Sequence, residues 1–286
     1  MIFCLTAKTC KMLHHTYSIT GASEKQITID LIREDEEQEK PLVIFSHGFK
    51  GFKDWGTHQI VARYFAERGL NFLKFNFSHN GISAGSGDIF DDLEGFANNT
   101  ISKELFDLDR VITFALSGEK FRKPSQIFLI GHSLGGAISI IQASENKSIH
   151  KLATWASISN FRNLWNAEHE KEWIDTGVLH FENSRTKQQM PIYSSFLDNL
   201  KENAERLNIL SAAQKMAQPW LIIHGEEDPV VPIEHAIELH NQQNHNKLLI
   251  IASADHVFCA KHPWNEAELP NPLKQACDAT IAFFQV

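Results

Sequence analysis

The sequence predicts an α/β fold: a mostly parallel central sheet flanked by helices, with one long insertion. Three observations lead there. Short, wholly apolar runs of strand length recur along the chain. Stretches with apolar residues at helical spacing separate them, and Gly- or Ser-rich turns mark where the runs end. Strands that alternate with helices pair in parallel, and a run with no polar face is one that helices cover on both sides. The 286 residues, 43% hydrophobic and 22% charged, suffice for one large globular domain.

The elements follow in order. Residues 26–32 (QITIDLI) alternate apolar and polar, the pattern of a half-buried strand. The acidic run 34–39 then reads as a solvated turn. Residues 42–46 (LVIFS) form a central strand that exits into His47-Gly48-Phe49. Ile60, Val61, Tyr64 and Phe65 give 55–68 helical spacing, and Gly69 supplies a stop. Residues 71–77 are a strand and 78–87 a Gly/Ser-rich loop. Residues 100–116 are a helix with Ile101, Leu105, Leu108, Val111, Ile112 and Ala115 on one face. A strand over 126–130, a tight turn over 131–136 and a helix over 137–144 come next. Strands over 152–157, 220–223 and 248–251 and a last helix over 272–284 complete the pattern.

Two stretches stand outside it. Residues 1–15 read as an N-terminal extension without order, in which His14-His15 is a chance pair; residues 16–286 form a single domain. Residues 160–217, roughly sixty between two strands, far exceed an ordinary connection and are expected to form a lid.

Composition narrows the function. The formal net charge is -8, and no Lys/Arg cluster supplies the basic face a nucleic-acid partner needs. No apolar run nears the roughly 20 residues that span a bilayer, so no membrane partner is expected. The segment 1–7 is apolar but lacks a basic start, a poor secretion signal, so the protein is expected in the cytoplasm. Cys4, Cys10, Cys259 and Cys277 match no metal-site spacing and read as free thiols, with a Cys4–Cys10 disulfide conceivable.

Gly131-His132-Ser133-Leu134-Gly135 carries the chemistry. It follows a buried strand and precedes a helix, the context in which a G-x-S-x-G turn lifts a serine hydroxyl above a sheet. Bulky residues at 131 and 135 would clash in so tight a turn. Serine is a weak nucleophile without an adjacent base. Of 15 histidines, His256 stands out because it follows the strand at 248–251. The acid belongs after the preceding strand, in His224-Gly225-Glu226-Glu227-Asp228-Pro229. Asp228 is preferred there, with Glu226 and Glu227 as competitors; its task is to fix the imidazole tautomer and stabilise its charged form. Asp255, adjacent to His256, reads as structural. Backbone N–H groups of Leu134 and Phe49 are the expected oxyanion donors.

With these motifs assembled, residues 41–285 resemble the α/β-hydrolase superfamily, and within it the dienelactone-hydrolase-like and cinnamoyl (feruloyl) esterase-like branch. The resemblance rests on His47-Gly48-Phe49-Lys50-Gly51, Gly131–Gly136, His224–Pro232 and Asp255-His256, in that order. It implies Ser133, Asp228 and His256 as a triad, Phe49 and Leu134 as the oxyanion hole, and chemistry that needs neither cofactor nor metal. The segment Ser78-His79-Asn80-Gly81-Ile82-Ser83 departs from the Gly–His–Gly–x–Ser segment of many relatives. Ser133 also stands where a dienelactone hydrolase is expected to use Cys, which argues against dienelactone as substrate. Carboxylic-ester hydrolysis is the first reading. Amide, peptide, thioester or C–C hydrolysis, acyl transfer, and a non-catalytic binding module remain open. Phe52, Trp165 and Trp173 are candidate pocket residues for a small-molecule ester, and Met190-Pro191-Ile192 resembles a segment of esterase lids.

Overall fold

The computed structural model describes residues 11–34, 39–183 and 185–286. Cys4, Cys10 and most of the acidic run after residue 34 lie outside them. The strands are β1 (Met12–Thr20), β2 (Gln26–Glu34), β3 (Leu42–Ser46), β4 (Asn71–Phe75) and β5 (Ile127–His132). β6 (Ile149–Trp155), β7 (Val178–Glu182), β8 (Gln189–Tyr193), β9 (Trp220–Gly225) and β10 (Lys247–Ile251) follow. The helices are α1 (His58–Ala66), α2 (Leu93–Ala97), α3 (Ile101–Ser117), α4 (Leu134–Glu145) and α5 (Ala167–Thr176). α6 (Ser195–Glu202), α7 (Ile209–Lys215), α8 (Glu234–His240) and α9 (Asn271–Gln285) complete them.

Eight strands form one sheet in the order β1-β2-β4-β3-β5-β6-β9-β10. β2 runs antiparallel to both neighbours, and every pair from β4 to β10 is parallel. The period-2 alternation of side chains explains the two cores. Ile44 and Leu129 join the layer of α3 and α4, while Val43, Phe45, Phe128 and Ile130 join that of α1 and α9.

Two expectations need correction. β1 begins at Met12, inside the stretch read as a loose extension, and pairs along its whole length with β2; His14 and His15 are strand residues opposite Ile32 and Leu31. The helix after the Ser133 turn starts at Leu134, not at Ala137. Gly135 and Gly136 are therefore helical residues, and their smallness serves packing. A Cβ on Gly135 would lie 2.3 Å from the Ser46 carbonyl oxygen, and one on Gly136 2.5 Å from Ser157 Oγ. Within β4, Lys74 in the apolar run NFLKF is fully buried, because Asp30 (3.0 Å) and Asp54 receive its ammonium, with Lys53 bonded to the same two carboxylates. The two lysines outweigh burial and hold the Asp30 carboxyl far below the usual carboxylate range.

The insertion at 160–217 is built from α5, the antiparallel hairpin β7–β8, α6 and α7. Its core is aromatic: Trp173 stacks on Phe196 (centroids 5.6 Å) and meets Trp165 and Phe181 edge-on. Trp165 and Trp173, expected at a substrate pocket, are thus taken up by packing within the insertion, and Trp173 is 1% exposed. Met190-Pro191-Ile192 is the middle of β8. The hairpin is tied to the body by Tyr193 Oη donating to Glu94 (2.8 Å) and Gln188 Nε2 to the Phe90 carbonyl (3.0 Å).

Candidate active site

Parallel registers bring four strand ends to one edge. Ser46 of β3 sits beside Gly131 of β5, and Gly225 of β9 beside Ile251 of β10. The loops that leave these ends carry every residue singled out for catalysis, at the carboxyl edge where α/β sheets bind ligands.

Ser133 has φ 54° and ψ -119°, a conformation that non-glycine residues seldom adopt and that costs roughly 1–3 kcal/mol. The surroundings hold it there. Ser133 N–H donates to the Trp155 carbonyl (2.9 Å), and Gly136 N–H donates back to the Ser133 carbonyl (3.0 Å). A Cβ on Gly131 would meet Gly135 O at 2.3 Å, so no larger residue fits under the turn.

The loop after β3 lies against this serine: a Cβ on Gly48 would be 2.9 Å from Ser133 Cβ. The Gly48 carbonyl accepts from His47 Nδ1 (2.9 Å) and Gly51 N–H (2.9 Å). His47 Nε2 accepts from Phe77 N–H, which puts the ring proton on Nδ1. Burial pushes the pKa of this imidazole down to about 4, so it stays neutral. A trans peptide sets C=O and N–H on opposite sides, so clamping the Gly48 carbonyl aims Phe49 N–H the other way. Among the described residues neither Phe49 N–H nor Leu134 N–H has an acceptor.

Asp228 and His256 meet across the β9 and β10 loops, with His256 Nδ1 donating to Asp228 Oδ2 at 2.8 Å. Those loops are pinned together by Glu226 N–H to Ile251 O and Glu227 N–H to Ala254 O, both 3.0 Å. Asp228 Oδ1 accepts from Val230 and Val231 N–H, each 2.8 Å. Burial pushes the Asp228 pKa up, but His256 and these two N–H groups outweigh it and the net shift is downward. Glu226 and Glu227, the competing acids, are exposed. Asp255 accepts from Val257 N–H (3.0 Å) and Cys259 N–H (2.7 Å), which shapes the turn around His256.

Two further histidines complete the arrangement, and sequence reasoning passed over both. His132 Nε2 donates to the His256 carbonyl (2.9 Å) with the rings 4.9 Å apart. Burial, then the neighbouring His256, lowers its pKa to about 3. His224 Nε2 faces the Val231 carbonyl (2.7 Å) and Asp228 Oδ2 (3.4 Å); both accept, so Nε2 carries the proton. Its Nδ1 is buried with no partner among the described residues. The signal for both was available, since each lies within the last two residues of a strand, inside a motif already singled out.

A sheet of this topology, with a serine elbow and a carboxylate–imidazole pair at its carboxyl edge, defines a hydrolase of the α/β-hydrolase superfamily. Residues 57–268 match the model of the prolyl oligopeptidase family, and the chain belongs to that family. No curated protein matches it in sequence. Its fold is similar to Est1E from Butyrivibrio proteoclasticus with ferulic acid bound (21% identity, 94% of this chain and 98% of that one, TM-score 0.68). It is also similar to a hydrolase of Agrobacterium vitis (17%, 96% and 99%, 0.70) and a dienelactone hydrolase of Anabaena variabilis (14%, 96% and 97%, 0.62). Among the described residues no helix is long and apolar enough to cross a membrane.

Proposed function

We propose that the chain is a serine hydrolase that cleaves carboxylic esters through an acyl-enzyme. The observation that carries this reading is a convergence at one sheet edge. A serine at positive φ, a carboxylate–imidazole pair and two N–H groups without acceptors share that edge. His256 takes the proton of Ser133 while Ser133 Oγ attacks the acyl carbon. Phe49 and Leu134 N–H groups hold the oxyanion, each contributing about 2.7–4 kcal/mol to the transition state. The alcohol leaves with the proton from His256. Water, deprotonated by His256, then releases the acid. Asp228 keeps the imidazole in the required tautomer throughout.

The likeness to Est1E with ferulic acid, and to an esterase domain from Rhodothermus marinus, supports an ester as substrate. The family match favours a second reading, amide or peptide hydrolysis by the same groups. The free thiols Cys259 and Cys277 support a reducing compartment, the cytoplasm.

The test sets p-nitrophenyl esters of rising acyl length, and methyl ferulate, against p-nitroanilides of the same acids. Each is run on wild type and Ser133→Ala. We expect ester turnover well above anilide turnover, and a loss on the order of 10⁴-fold or more in the variant. Faster anilide turnover would select the peptidase reading. Wild-type turnover in Ser133→Ala would refute the nucleophile assignment.

A further inference from the structure

The loop that carries Phe49 has a second side. A cavity of about 340 Å³ opens there, with Phe49, Phe52, Trp55 and Phe90 as apolar walls. Phe52, expected at the pocket, lines this cavity rather than any lid surface. Edge-on contacts of Phe52 with Phe90 (6.0 Å) and His262 (5.2 Å), and stacking of Trp55 on His262 (6.2 Å), hold these walls in place.

The polar part of the lining is one-signed. Lys50, Arg185 and Lys261 border the cavity, and among the described residues no carboxylate does. In a chain of net charge -8 that grouping is against the average. Of the nearby acids, Asp88 pairs with two lining groups, Arg185 and His262 (3.0 Å each), while Glu182 pairs with Lys187 (2.9 Å) outside the lining; Lys50 and Lys261 border the cavity with no ion pair among the described residues. The Lys50 ammonium donates to the Glu182 carbonyl (2.9 Å), and burial lowers its pKa although the Glu182 charge works against the shift. Asn183 adds a donor. Its Oδ1 accepts from Arg185 and Thr186 N–H, while its Nδ2 has no acceptor among the described residues.

We propose that this cavity is a subsite for a carboxylate carried on an apolar or aromatic body. The rings would take the body, and Lys50, Arg185, Lys261 and Asn183 Nδ2 would take the charge. Charge-assisted bonds of this kind outrank neutral ones, and a half-dry wall screens them less than bulk water does. Because Phe49 belongs both to this wall and to the loop against Ser133, the carboxylate is part of the substrate. The inference therefore rests on the ester-hydrolase reading above and names its substrate class: esters that bear a carboxylate remote from the scissile bond.

The test uses two substrate pairs. One compares a p-nitrophenyl ester with an ω-carboxylate on the acyl chain against its methyl-capped counterpart. The other places the carboxylate on the leaving group, as an acyl ester of 4-hydroxybenzoate, against the methyl-capped form. We expect kcat/KM to favour the charged member of one pair by about tenfold. The double variant Arg185→Gln/Lys261→Gln, altered at two exposed rim side chains, should cut that ratio to about twofold. No charge preference in wild type, or one that survives the double variant, overturns the proposal. If no ester is turned over at all, the ester reading has failed and the cavity is judged by binding. Folded Ser133→Ala protein is then titrated with benzoate and methyl benzoate. Salt-sensitive binding of benzoate alone, weakened in the rim variant, keeps the carboxylate site as one for a free acid. Equal or absent binding removes it.

Discussion

Asp228, in the loop after β9, and Glu104, early in α3, are both nearly sealed from water, yet their carboxyl groups end in opposite states. Asp228 receives His256, two backbone N–H groups and a longer contact from His224, and its pKa falls. Glu104 receives one amide, Asn99 Nδ2 at 2.7 Å; its Oε2 has no partner among the described residues, and burial drives its pKa up to about 8. Asp107 lies between them. It accepts Ala22 and Ser78 N–H (2.7 Å each), yet burial still leaves its pKa raised. Burial alone does not set the charge of an interior acid. The number of donors and the presence of a cation do. The carboxylate beside His256 is fully satisfied, and the one packed into α3 is left half-satisfied.

The largest effect should come from taking the anion out of the first region. Asp228→Asn keeps an oxygen for Val230 and Val231 N–H but offers His256 an N–H₂ where it needs an acceptor. We expect kcat/KM on the best ester to drop about 10⁴-fold with the fold retained by circular dichroism. A drop below tenfold, with a large one in Glu227→Gln, would move the acid to Glu227.

A smaller loss is expected from His224. Phe at this position removes the Nε2 proton shared by Val231 O and Asp228 Oδ2, and also removes the buried, unpartnered Nδ1. The two changes oppose each other in stability, so Tm should move little. The Asp228 carboxylate loses a support, so kcat/KM should fall about tenfold, or about 1.4 kcal/mol, with kcat carrying the loss. Unchanged kinetics with a lowered Tm would make His224 a packing residue only.

The same comparison shows what could be read from residues alone. The Ser133 turn and the meeting of Asp228 with His256 were legible because backbone geometry demands glycine around the turn and because each of these loops follows a strand in a fixed order. The start of α4 was misread because Gly135 and Gly136 signal a turn locally, while the Ser46 carbonyl and Ser157 require them inside a helix. β1 was missed because its outward positions are polar, as an edge strand allows. Lys74 and Glu104 look like surface residues in sequence; their partners, Asp30, Asp54 and Asn99, are set by tertiary structure. Trp165 and Trp173 were assigned to a pocket because aromatic content does not say which face of a lid it serves.

Glu104 should leave turnover untouched and act on stability alone, with the sharpest sign. Its pKa is about 8 in the folded chain and about 4.3 in an unfolded one, so between these pH values the native state holds a proton that the unfolded state has released. Stability then falls as pH rises, by at most about 1.4 kcal/mol per pH unit, and levels off above the folded pKa. Asp228, with its pKa lowered, has the opposite slope: its contribution is present at neutral pH and lost as pH falls below the ordinary carboxylate range. Glu104→Gln mimics the protonated acid, because the amide oxygen can still accept from Asn99. Near pH 4 wild type and variant should melt together. At pH 9 the variant should melt on the order of 10 °C higher or more, since nearly four pH units between the two pKa values correspond to about 5 kcal/mol and each kcal/mol shifts Tm by about 2–4 °C in a domain of this order of size. Tm curves that stay parallel from pH 4 to 9 would mean that Glu104 is ionised in the native chain, and that one amide donor is enough to hold a buried charge.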